Sequence, residues 1–132
     1  MLLIYLEVAG QPSFEYQKEI VQWTKEYLPH VTTIDLDNFS DSSLFEQVIS
    51  LIEKEDKSMV VYNIREEVSS DQVVSLTNAV LDFNDRTRAI LNGKHTFIER
   101  LLNVLDEKHI KNPTEEEKRE YLKKYFNEEG VL

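Results

Sequence analysis

Cysteine is absent from the 132 residues, and glycine and proline occur only three times each. Without cysteine the chain has no disulfide, no thiolate nucleophile and no cysteine-based zinc site. No apolar run approaches the roughly 20 residues that a membrane span requires. The first eight residues carry no basic leader and reach Glu7 too early for a signal peptide. These absences place the expected protein in the cytoplasm, away from membranes. The scarcity of glycine also removes the nucleotide motifs. A dinucleotide fingerprint needs three spaced glycines after the first strand, and Gly10 stands alone there. A Walker A loop needs two glycines followed by Lys-Ser/Thr, whereas Asn92-Gly93-Lys94-His95-Thr96 has one glycine and an interposed histidine. Histidine is scarce as well, at positions 30, 95 and 109.

What remains is ordinary globular material. The chain is 41% hydrophobic and 30% charged, which excludes a disordered or collagen-like polymer. Its length suits a single domain spanning residues 1–132. Twenty-five acids against fifteen bases give a net charge of −10, so duplex nucleic acid is not an expected partner. Between residues 86 and 111 the balance reverses: Arg86, Arg88, Lys94, Arg100, Lys108 and Lys111 outnumber Glu99, Asp106 and Glu107. A small anion or an acidic surface would meet least repulsion there.

The hydrophobic period alternates between strand-like and helix-like along the whole chain. Leu2 to Val8 reads as a buried strand. Pro12-Ser13 opens a helix whose stripe is Tyr16, Ile20, Trp23, Thr24 and Tyr27, ended at Leu28-Pro29. Val31 to Leu36 is a second strand. Ser43-Leu-Phe-Glu46 matches a capping box before the stripe of Leu44, Phe45, Val48, Ile49 and Ile52. Ser58 to Ile64 is a third strand, and Ser69-Ser-Asp-Gln72 caps a helix running to about Asn84. Thr87 to Asn92 is a fourth strand, and Thr96-Phe-Ile-Glu99 caps the helix that follows. A weak strand at His109-Ile110 precedes Pro113 and the last helix, which opens at Thr114-Glu-Glu-Glu117 and carries Tyr121, Leu122, Tyr125 and Phe126.

Five strands alternating with five helices predict a mostly parallel sheet covered by helices on both faces. Continuous apolar runs mark central strands, and alternation marks edges. The first, third and fourth strands are continuous, whereas Thr33 and Asp35 alternate with Ile34 and Leu36 in the second, and the fifth has one apolar residue. The expected class is therefore α/β with the flavodoxin-like order 2-1-3-4-5.

In such a sheet a ligand sits beyond the carboxyl ends of the strands. The candidate anion-binding residues there are Asn63, Arg65, Asn92, Gly93, Lys94, His95 and Thr96. Residues 92–96 join a strand to a helix start, where free backbone N–H groups and the helix dipole favour negative charge. The plainer reading of the same residues, favoured here, is that Gly93 turns the chain and Thr96 caps the helix. Glu7 and Asp37, on neighbouring strands, are candidates for a hard cation such as Mg²⁺, although Asp37 lies among ordinary turn formers. The dispersed histidines make a tight transition-metal site unexpected. No serine sits in a G-x-S-x-G elbow. Trp23 and the tyrosines of the first helix lie on its apolar stripe and are expected in the core.

The inferred topology is similar to that of receiver domains of two-component signalling. Those use acids after the first strand, a phosphoaccepting Asp ending the third, Ser/Thr after the fourth and Lys after the fifth. Glu7, Asn63, Asn92 or Thr96, and Lys111 stand at the rough counterparts. Asn63 cannot accept a phosphoryl group, so the likeness is one of topology and implies no phosphotransfer.

No catalytic motif and no cofactor signature is present. The reading favoured by the sequence is a non-catalytic cytoplasmic interaction or regulatory domain working through a helix face or sheet edge. Its rival is a small-molecule enzyme or sensor that takes a phosphate- or carboxylate-bearing ligand at the carboxyl-edge loops. The aromatic last helix, followed by Val131 and Leu132, and the exposed fifth strand also allow a homodimer.

Overall fold

A computed structural model of the chain describes residues 1–12 and 18–127. Five strands form one all-parallel sheet in the order β2-β1-β3-β4-β5. They are β1 (Leu2–Val8), β2 (Thr32–Asp37), β3 (Ser58–Ile64), β4 (Thr87–Asn92) and β5 (His109–Lys111). The helices are α1 (Glu19–Tyr27), α2 (Ser42–Lys54), α3 (Asp71–Asp82), α4 (Thr96–Leu102) and α5 (Glu115–Asn127), and a 3₁₀ segment, Asn103–Lys108, follows α4. The expected helix opening at Ser13 and the stripe residue Tyr16 lie outside the described residues, as do Val131 and Leu132.

Strand order follows the physics of burial. All seven residues of β1 are buried, because strands and helices surround it on every side. β2 is exposed or half-buried except at Leu36, as its alternation predicts for an edge. The pleat divides the core into two layers. Leu2, Ile4, Leu6, Val60, Tyr62 and Leu91 point toward α2, α3 and α4 and pack on Val48, Leu76 and Ile98. Leu3, Tyr5, Met59, Val61 and Ile90 point the other way and pack on Ile20 and Trp23 of α1 and Leu122 and Phe126 of α5. Trp23 is thus a core residue, whereas Tyr27, expected beside it in the core, is exposed at the last turn of α1.

Tyr125 fixes the end of α5. Its hydroxyl donates to the Arg86 carbonyl at 2.6 Å, and its own carbonyl accepts from Lys57 Nζ at 2.7 Å. A cation on a helix's last carbonyls also complements the helix dipole. Burial pushes the Tyr125 phenol up to about 12, against the lowering influence of Arg88.

The helix starts differ from all three expected capping boxes. α2 begins at Ser42 behind Asp41, so its N-cap lies two residues ahead of the expected Ser43. α3 is capped by Ser70, whose Oγ accepts from the Val73 N–H, and not by Ser69. α4 is capped by His95, and Thr96 is its first helical residue. The last helix opens at Thr114 as expected, and a reciprocal capping box forms there: Thr114 Oγ1 accepts from the Glu117 N–H at 3.1 Å, and Glu117 accepts from the Thr114 N–H at 2.9 Å.

Candidate functional site

Parallel register places four polar side chains in a row across the carboxyl end of the sheet. Asp37 pairs with Glu7, Glu7 with Asn63, and Asn63 with Asn92. They share the face covered by α1 and α5. The apolar core stops at this row, and the loops beyond it form the candidate site.

Glu7 is its charged centre, only 3% exposed. Its two carboxylate oxygens lie 3.5 Å from Lys18 Nζ and 3.5 Å from Arg65 Nη1. Lys18, immediately before α1, is itself buried, and its ammonium lies 5.8 Å from the Tyr5 ring centroid. Arg65 is half-exposed and closes the other side. Burying a carboxylate is tolerable only with such partners. Asp35, two residues before Asp37 on β2, has its carboxyl raised above the usual range by lost hydration, against the lowering influence of Lys18, with Glu7 and Asp37 adding repulsion.

Asp37 adjoins Glu7 in the register, but its carboxylate is held within its own loop. Asp37 Oδ1 accepts from the Phe39 N–H at 2.8 Å, and the Asp37 N–H donates to Ser40 Oγ at 3.1 Å. This is the turn chemistry expected of Asp and Ser. Among the described residues no three His, Cys, Asp or Glu side chains converge as metal ligands.

The β4–α4 segment is built as a turn and cap. Gly93 has φ of 95°, and a Cβ there would strike the Ile64 carbonyl oxygen at the end of β3. The Gly93 N–H donates to Asn112 Oδ1 at 2.7 Å, tying β4 to the chain beyond β5. His95 is buried, and its two ring nitrogens have separate roles. Nδ1 accepts from the Ile98 N–H at 3.3 Å, and Nε2 lies 2.8 Å from the Val68 carbonyl. A carbonyl can only accept, so Nε2 carries the proton and the ring is neutral. The expected cap at Thr96 is therefore corrected to His95, because an imidazole nitrogen reaches the N3 amide as a hydroxyl would.

The Thr96 N–H, which a bound anion would have used, donates instead to the carboxylate of Glu67. That bond, with a further one from the Thr96 side chain, holds the Glu67 carboxyl below the usual carboxylate range, with Lys94 helping. The expected electropositive helix start exists, and its anion is supplied by the chain itself. Lys94 is exposed, and the basic residues of segment 86–111 do not form one patch. Arg86 lies at the amino end of β4, Lys94 at the carboxyl end, and Lys111 pairs with Glu99 at 3.0 Å.

The remaining loops are cross-tied. The Ala9 N–H donates to Asn38 Oδ1 and Asn38 Nδ2 donates to the Ala9 carbonyl, both at 3.0 Å. With its amide nitrogen facing the Ser40 carbonyl, Gln72 donates to that oxygen at 2.8 Å and accepts from the Ser42 N–H at 3.3 Å. The functional residue missed from sequence is Lys18. Its signal was topological: the residue entering α1 must return over the carboxyl end of β1, where Glu7 lies.

The cap assignment carries a stability test. His95→Ala is expected to cost about 1–2 kcal/mol, and Thr96→Ala to stay within about 0.5 kcal/mol, in denaturant unfolding.

No protein-family model and no curated protein sequence matches the chain. Among solved structures it is similar to the RPS4 and RRS1 TIR domain heterodimer, with a TM-score of 0.55 over 99% of this chain and 97% of that chain, at 15% identity. The likeness is one of fold: the chain has the flavodoxin-like α/β architecture that this TIR domain also has. Among the described residues no helix is long and apolar enough to cross a membrane.

Proposed function

We propose that the chain is a single non-catalytic α/β domain of the cytoplasm that regulates or assembles through protein contacts. The observation that carries this reading is the mutual engagement of the carboxyl-edge loops. Asn38 occupies the backbone of Ala9, Glu67 occupies the start of α4, and Asn112 occupies Gly93. A ligand entering there would first have to displace contacts already made. Apolar side chains instead reach solvent on the helices, as Leu44 and Leu51 of α2 and Phe97 of α4 do. The structural neighbour, a TIR domain heterodimer, accords with a role in assembly.

A second reading keeps one specific observation in its favour. Glu7 is a buried charge beside Asn63 and Asn92, flanked by Lys18 and Arg65, and such a constellation suits a small polar ligand. Thermal melting separates the two. Phosphate, phosphorylated metabolites and small carboxylates at millimolar concentration are expected to leave the melting temperature unchanged. A ligand at 100 times its dissociation constant would stabilise the fold by about 2.7 kcal/mol. Stabilisation of the parent protein that is lost in Lys94→Ala would overturn the interaction reading in favour of a ligand site.

A further inference from the structure

Helix α5 is flanked on one side only. Toward α1, Arg119 pairs with Glu19 at 3.0 Å and stacks over Trp23. Toward β5 the helix borders a groove of about 840 Å³, lined by Ile110, Glu116, Glu120, Tyr121, Lys123 and Lys124 among others. β5 itself ends the sheet. It pairs with β4 through Ala89–His109, Ile90–Ile110 and Leu91–Lys111, and among the described residues no strand lies on its other side. Ile110 and Tyr121 are half-buried and pack at the margin of the α1/α5 core layer.

On its groove side the charges of α5 are segregated, whereas Lys118 and Arg119 of its first half do not line the groove: Lys118 is buried beside Glu115, and Arg119 pairs with Glu19 of α1. Glu115, Glu116 and Glu117 fill the first turn and Glu120 follows, whereas Lys123 and Lys124 occupy the second half. The groove wall is therefore acidic at one end and basic at the other, with Ile110 and Tyr121 as its apolar members. Such a surface is complementary to itself turned end for end. An isologous contact demands this property, because each patch must meet its own copy about a two-fold axis. A uniformly acidic or uniformly basic partner would match only half of it.

We infer that the α5/β5 face binds a second copy of this chain, with the two α5 helices antiparallel. The inference rests on the reading of the protein as an interaction domain and names its partner. One axis satisfies both elements. A two-fold normal to the sheet beside β5 sets β5 against its mate in antiparallel register. The same axis keeps both α5 helices in one layer and lays the acidic half of each over the basic half of the other. The unpaired edge is thereby covered. At a net charge of −10 two copies repel at long range, so local complementarity is what such a contact requires.

Sedimentation of the full chain from micromolar to millimolar concentration tests this with two charge-reversed variants. The parent is expected to dimerise. Glu116→Lys/Glu120→Lys and Lys123→Glu/Lys124→Glu should each weaken the dimer by about tenfold or more, a loss of about 1.4 kcal/mol. An equimolar mixture of the two variants should recover it, because the groove of one copy is then predominantly basic, with Glu117 its remaining acid, and that of the other is acidic. Circular dichroism checks that both variants remain folded, and Lys54→Glu on α2 controls for net charge. A monomeric parent throughout, a dimer indifferent to both variants, or equal weakening by Lys54→Glu would overturn the inference. A monomeric parent would leave the interaction reading standing, since that reading is decided by ligand melting.

Discussion

Gly93→Ala is expected to destabilise the fold by about 3 kcal/mol, far more than a loop glycine normally contributes. Two effects combine. The residue sits at φ of 95°, a conformation that costs any side chain, and the added Cβ would strike the Ile64 carbonyl oxygen. That oxygen belongs to the end of β3, a central strand, and cannot move aside without disturbing the sheet. Gly10→Ala provides the internal comparison. Its Cβ would meet only the carboxylate of Glu66, the free end of a flexible side chain, and a cost within about 1 kcal/mol is expected. Urea unfolding of both variants checks the difference. A Gly93→Ala protein as stable as its parent would show that the β4–α4 turn can withdraw from β3.

Lys18→Met should cost a similar amount, about 3 kcal/mol, or roughly 10 °C in Tm. The stem of lysine is replaced by an apolar chain of comparable volume, so packing is largely kept and the lost charge dominates. Among the described residues, Glu7, 3% exposed, then keeps Arg65 as its charged partner, and Arg65 is half in solvent. The diagnostic is the double variant. Glu7→Gln with Lys18→Met removes both members of the pair, and most of the loss should be recovered, since the main penalty is a buried charge left without its partner. Additive losses in that thermodynamic cycle would show that Lys18 contributes through its packing.

The architecture was legible because burial leaves a record in composition. LLIYL and MVVY are apolar without interruption because the sheet and helices cover both of their faces, and TTIDLD alternates because one side of β2 meets water. Local signals were less secure where several candidates stand together. Asp41-Ser42-Ser43 and Ser69-Ser70 each offer adjacent cap residues, and only the final backbone angles select one. At the last helix, Pro113 and the acidic run behind Thr114 marked the start, and the helix does open there. At α4 the cap is an imidazole, outside the usual Ser, Thr, Asp and Asn set, so Thr96 drew the assignment. The candidate site was legible in place but not in pairing. The row Asp37–Glu7–Asn63–Asn92 follows from the strand order, whereas Glu67 reaching Thr96 and Lys18 reaching Glu7 are contacts between separate loops that no local period announces.

The central position of β1 also governs the order of events in time. Leu2 finds its partners at Thr32 on one side and Ser58 on the other, so β1 precedes both neighbours in the chain. At a synthesis rate of about 5–20 residues per second, roughly 3–11 s separate the appearance of Leu2 from that of Ser58. For that interval the most apolar strand of the protein lacks its inner neighbour and presents a surface that other chains, or a chaperone, can bind. Burial of β1 in this topology therefore waits on β3, a contact between distant segments rather than any single helix.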